Sequence, residues 1–122
     1  MLDKIHKGEI DKEDEVLILT DENFDTEVQA LGTLAINFFQ PWCPYSRMAE
    51  PEVADAASKL DAMNCPYRMA KVHIGDNPAL SERFHIHAIP TIIWFDNGKP
   101  LMKFNGLKEA DTMVNWVLDP NK

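Results

Sequence analysis

Two thiols, Cys43 and Cys65, are the side chains of this sequence best suited to covalent chemistry, and their settings differ. Cys43 follows Ala35-Ile36-Asn37-Phe38-Phe39-Gln40, which reads as a buried strand stopped by Pro41, and precedes Arg47–Leu60, which reads as a helix. That order puts the sulfur where a central strand hands over to a helix N-terminus. Unpaired backbone N–H groups and the positive end of the helix dipole stabilise an anion there. The thiolate is the nucleophilic form of cysteine, so Cys43 is the candidate reactive group. Cys65 stands at the far end of the same helix, about 30 Å away at 1.5 Å per residue. A disulfide needs Cα atoms within about 7 Å, so Cys65 cannot partner Cys43 and reads as a lone structural or surface thiol.

Two cysteines make neither a disulfide framework nor a structural zinc site without histidine help. The four histidines show no ligand spacing: His6 is in a polar leader, His73 ends a strand, and His85 and His87 flank one residue. A His85/His87 metal site is the minor alternative to solvated or packing histidines, since no cysteine or carboxylate cluster accompanies that pair, and no metal is expected.

The elements that must position Cys43 follow from periodicity. Residues 1–15 hold six acids and three lysines and read as a charged leader, at most a fraying helix. Glu15–Thr20 is a short strand. Thr20 or Asp21 caps a helix over Glu22–Leu31, whose Phe24, Val28 and Leu31 share a face, and Gly32 ends it. Leu34–Phe39 lacks alternation, which implies cover on both faces. The helix after Cys43 presents Met48, Val53, Ala56, Ala57, Leu60 and Met63, with Pro51 inside it. Tyr67–Ile74 alternates as a strand, and Asn77-Pro78 opens a short helix to Phe84. Thr91–Phe95 is a buried strand, and Asp96-Asn97-Gly98 turns it into Leu101–Phe104. Ala110–Leu118 is the last helix, with Met113, Val114, Val117 and Leu118 inward. Trp94 and Trp116 read as packing, and Lys71 as a solvated strand lysine, with a place near Asn37 as the alternative. The order βαβαβαββα mixes parallel crossovers with one hairpin, so an α/β fold with a mixed central sheet between helices is expected, one domain over 16–118 with a tail at 119–122. Ile89-Pro90, directly before a buried strand, is a candidate cis peptide.

At 122 residues the chain is long enough for a single continuous core, and 45% hydrophobic with 26% charged residues is ordinary globular composition. A net charge of −8 argues against nucleic acid and anionic membrane as partners. No apolar run reaches the roughly 18 residues of a membrane span. Met1–Glu15 has no signal-peptide apolar stretch, and Asp119-Pro120-Asn121-Lys122 is no retention tail, so a secreted parent would supply these outside this chain.

Trp42-Cys43-Pro44-Tyr45-Ser46, Pro51 eight residues after the cysteine and Ile89-Pro90-Thr91 together resemble the thioredoxin superfamily, over about residues 15–118. Val16-Leu17-Ile18-Leu19-Thr20-Asp21-Glu22-Asn23-Phe24, Met69-Ala70-Lys71-Val72 and Glu109-Ala110-Asp111 with Val114-Asn115-Trp116 are similar to the a-type domains of protein disulfide isomerases. The resemblance implies the thioredoxin fold, Cys43 as exposed nucleophile, and Pro90 as the cis-proline facing it. It also implies a groove around Trp42, Pro44, Tyr45, Ile89 and Pro90 where an extended client backbone pairs, and a home in the endoplasmic reticulum lumen.

The departures narrow the function. Dithiol members carry a second, resolving cysteine where this sequence has Ser46. The family's buried carboxylate, which takes that cysteine's proton, is Asn37, and the arginine assisting the transfer aligns with Lys108. A serine hydroxyl forms no S–S bond, so Ser46 cannot release a partner from Cys43. The Pro44-Tyr45 pair replaces the isomerases' usual Gly-His, removing a cation from beside the thiol. An engineered trap of a dithiol domain would change one cysteine and leave the carboxylate. Asn37 therefore favours a natural Cys-x-x-Ser site, found with asparagine in a branch of reticulum chaperones. The favoured reading is a thiol-dependent folding factor that retains client proteins through mixed disulfides at Cys43, without a cofactor and with no prediction of oligomeric state. The alternatives are a monothiol oxidoreductase or isomerase using glutathione as co-substrate, an engineered trap, and a non-redox interaction domain. Glutaredoxin-like iron–sulfur carriage, suggested by the Cys-Pro-Tyr-Ser tetrad, is opposed by Trp42 and the long first βα unit.

Overall fold

A computed structural model of the chain describes residues 12–13, 15–65, 67–105 and 110–118. The elements in order are β1 (Lys12–Glu13), β2 (Val16–Ile18), α1 (Phe24–Leu31), β3 (Thr33–Phe39), α2 (Pro44–Ala62), β4 (Arg68–His73), α3 (Pro78–Arg83), β5 (Thr91–Asp96), β6 (Lys99–Asn105) and α4 (Ala110–Leu118). They form a six-stranded sheet in the order β1-β2-β4-β3-β5-β6. β4 runs parallel to β2 and β3, whereas β1–β2, β3–β5 and β5–β6 are antiparallel. This is the expected mixed sheet with helices on both faces.

β3 shows why its sequence does not alternate. Leu34, Ile36 and Phe38 point into one core with Phe24 and Val28 of α1, Leu80 of α3, and Ile93 and Phe95 of β5. Ala35 points into the opposite core, with Val53, Ala56 and Leu60 of α2, Trp94 of β5 and Met113 of α4. With a side-chain period of two, Asn37 shares the face of Ala35 and so lies under α2. The first core is aromatic: ring centroids of Phe24, Phe84 and Phe95 stand 5.2 to 5.7 Å apart. Tilted and edge-on pairs of this kind contribute about 0.5–1.5 kcal/mol each beyond area burial.

Several local expectations are corrected. The charged leader is not wholly outside the sheet, because Lys12–Glu13 pairs with Val16–Leu17 as its edge strand. α2 begins at Pro44 rather than Arg47, since a proline at the first helical position lacks only an N–H that would have no intrahelical partner. Asp21 does not cap α1: its carboxylate accepts from the N–H groups of Ala79 and Leu80 (3.3 and 3.0 Å) and caps α3 from across the fold. Thr20 and Asn23 instead bond each other's backbone N–H before α1. Asn77 occupies the cap position of α3, but its amide accepts from Asp21 N–H and donates to the His73 carbonyl. Met48, Met63 and Leu118 are exposed rather than core residues. The hairpin turn is as expected, with Asn97 (φ 53°) and Gly98 (φ 83°) both left-handed.

Candidate active site

The strand β3 ends at Phe39, and four residues carry the chain into α2. Backbone bonding holds this turn closed: Cys43 N–H donates to the Gln40 carbonyl (3.1 Å), and Arg47 N–H to the Cys43 carbonyl (2.9 Å). Cys43 is the N-cap residue of α2, with extended backbone (φ −81°, ψ 125°), and Pro44 fills the first helical position. No acidic residue sits in the first turn of α2 to neutralise the positive end of its dipole. The thiol is half-buried and forms no disulfide, and its Sγ lies 4.0 Å from the Ile89 carbonyl oxygen. The Ile89–Pro90 peptide bond is cis, as expected, with Pro90 buried and Ile89 half-buried beside the sulfur.

Around the thiol the surface is apolar and open. Trp42 and Tyr45 are 69% and 63% exposed, and Met48, one turn further along α2, is 53% exposed. Pro44 is exposed between them. The structure thus brings together Trp42, Cys43, Pro44, Tyr45, Ile89 and Pro90 at one end of the sheet. Met48 joins this surface although its spacing pointed to the core.

Beneath the thiol the arrangement is different. Ser46 is fully buried, and its Oγ accepts from Gln40 N–H (3.2 Å), so the hydroxyl braces the turn that carries Cys43. Asn37 is also fully buried, and neither atom of its amide has a hydrogen-bond partner among the described residues. A buried amide left without a partner costs about 1–3 kcal/mol. A cleft of about 270 Å³ opens over it between α2 and the sheet, with Glu50, Pro51 and Lys71 on its walls.

Lys71 is not the solvated strand lysine expected. It pairs in register with Asn37, is largely buried, places Nζ 3.7 Å from Glu50 Oε2, and lies 5.6 Å from the Phe39 ring centroid. Glu50 was missed entirely. Its signal was present, because Glu50 follows Ser46 by four residues and so shares its helix face. Lys108 lies outside the described residues. Cys65 is buried beyond the other end of α2 and free, apart from the site. Among the described residues no group of three metal-binding side chains forms, and no helix is long and apolar enough to cross a membrane.

Chemically, the site offers one accessible thiol at a helix N-terminus, a carbonyl edge beside it, and a buried hydroxyl where a second thiol would have to stand. Comparisons with known proteins identify the family. The Thioredoxin family matches residues 15–119. The chain is 36% identical over 109 residues to protein disulfide-isomerase of Oryctolagus cuniculus, covering 88% of this chain and 21% of that protein. It is 32% identical over 102 residues to protein disulfide-isomerase 1 of Caenorhabditis elegans (84% and 21%). Protein disulfide isomerase-like 5-3 of Oryza sativa subsp. japonica is 33% identical over 106 residues (87% and 25%). The chain therefore spans about a fifth to a quarter of the length of these relatives. Among solved structures, chloroplastic thioredoxin z superposes with a TM-score of 0.73 at 24% identity, over 84% of this chain and 91% of that one. That likeness concerns the fold.

Proposed function

The chain belongs to the thioredoxin family, and from that premise we propose that it is a single-cysteine folding module that holds client proteins through mixed disulfides. The observation that carries the reading is the contrast within one turn of helix: an accessible Cys43 and a buried Ser46 hydroxyl. Kinship with protein disulfide isomerases supports client polypeptides as the substrates and the endoplasmic reticulum lumen as the compartment.

The chemistry proceeds in two exchanges. The Cys43 thiolate attacks one sulfur of a client disulfide, forming a Cys43–client S–S bond and expelling the other client sulfur as a thiolate. An incoming thiolate, from glutathione or another client cysteine, then attacks the client sulfur. The Cys43–client bond breaks and Cys43 leaves with the electron pair. In a dithiol enzyme the fourth residue of the motif supplies an attacking thiolate from within. Ser46 has no sulfur to give, so the mixed disulfide lasts until an outside thiol arrives. Trp42, Tyr45 and Met48 supply apolar area to hold an unfolded segment meanwhile, and the Ile89 carbonyl edge is placed to pair with its backbone.

Insulin reduction by dithiothreitol tests this reading. The protein should accelerate it far less than a dithiol isomerase domain does, while non-reducing electrophoresis shows adducts through Cys43. Turnover at a dithiol rate would overturn the retention reading. Rapid glutathione-dependent turnover without accumulating adduct would favour the monothiol oxidoreductase instead.

A further inference from the structure

A second concave surface lies on the face of the sheet away from α2, at its β5–β6 edge. β5 and β6 fall out of register between Trp94 and Phe95: Trp94 pairs with Met102 and Phe95 with Pro100. Leu101 is the extra residue of this bulge. A bulge turns neighbouring side chains of one strand toward the same face, and here Pro100 and Leu101 both line a cleft of about 300 Å³ with Phe84, Ile93, Arg83 and Lys103. Leu101 is 58% exposed. A lone exposed leucine is unremarkable, but one joined to an apolar floor under a charged rim marks an interaction surface.

The rim has one sign. Among the described residues Arg83 and Lys103 line the cleft and no carboxylate does, in a chain whose net charge is −8. Asp25 accepts one N–H of Arg83 (3.0 Å), and the guanidinium stacks over the rings of Phe84 and Phe24 (4.9 and 5.4 Å to their centroids). Its planar fork has further donors for a second carboxylate. His85, held left-handed (φ 53°), lines both this cleft and a neighbouring one of about 350 Å³ that reaches Gln40, whose backbone bonds Cys43 and Ser46. Ile93 is four residues from Ile89, at most about 14 Å of backbone. Among the described residues β6 has no outer neighbour, so its backbone edge is open to an added strand.

We propose that this cleft receives an extended client segment in which a carboxylate side chain neighbours a large apolar one, four to six residues from the cysteine held by Cys43. The inference rests on the mixed-disulfide reading and adds which clients are preferred. The acid meets Lys103 and Arg83, and the apolar side chain covers Leu101 and Ile93.

Synthetic peptides carrying one cysteine as its thionitrobenzoate disulfide test it. Attack by the Cys43 thiolate on the peptide sulfur breaks that S–S bond and releases coloured thionitrobenzoate, which reports the rate. Peptides with Leu-Glu at the stated spacing, on either side of the cysteine, should react roughly tenfold faster than Leu-Lys peptides at low salt. The difference should shrink as salt is raised toward 1 M, where the Debye length is about 3 Å. Lys103→Glu should reverse the preference between the two peptides, and Leu101→Ser should remove the advantage of Leu-Glu over Ser-Glu. Equal rates for all peptides, unmoved by Lys103→Glu, would overturn the preference and leave the mixed-disulfide reading standing. No thionitrobenzoate release above that of the Cys43→Ala protein would take down both.

Discussion

The two sides of the first turn of α2 differ in the groups they present. Above the turn, Cys43 faces the Ile89 carbonyl at 4.0 Å among exposed Trp42, Tyr45 and Met48, a surface suited to meeting another polypeptide. Below it, Ser46 is tied to Gln40 N–H, and the Asn37 amide, without a partner among the described residues, lies beside a Lys71–Glu50 pair. The upper side has what is needed to form a disulfide with a partner. The lower side lacks a sulfur and lacks a carboxylate at position 37. On the reading proposed above, capture and release separate within one helical turn, and Cys43 serves capture.

That contrast can be broken from either side. Cys43→Ala should abolish client adducts altogether on non-reducing gels, because Cys65 is buried at the other end of α2. Ser46→Cys should create an internal disulfide and measurable insulin reduction, but slowly. Adding Asn37→Asp to Ser46→Cys should raise that rate by about a hundredfold, the lower range of general acid–base assistance. A full dithiol rate from Ser46→Cys alone would show that the lower side lost only its sulfur. Asn37→Leu should stabilise the fold by about 1–3 kcal/mol in urea titration, since it removes a buried amide without partners. Destabilisation there would mean that the amide is satisfied. Glu50→Ala should cost less than about 1 kcal/mol, because its carboxylate is 40% exposed and screened.

Much of this was legible in the residues, for identifiable reasons. The unbroken apolar run of β3, Pro41 as its stop and the Asn97-Gly98 turn report local rules that tertiary packing did not override. Cys43 at the head of a helix followed from the same logic. What the sequence hid depends on distance across the fold. Asp21 looked like the cap of its own helix, but α3 lies close enough to take both its oxygens. Lys71 looked solvated until α2 closed over β4 and brought Glu50 to it. Met48 fits a core spacing yet is exposed near the head of α2. The bulge at Leu101 comes from a one-residue shift in register that no single-strand pattern reveals.

The central claim is that a partner bound to Cys43 stays until an outside thiol removes it. Intact-mass spectrometry can follow this directly, using a client with one cysteine exchanged onto Cys43 by displacement of thionitrobenzoate and then freed of small thiols. The account predicts an adduct that persists for hours in buffer and disappears within minutes of adding millimolar glutathione. Loss of the client at the same rate without added thiol would contradict it.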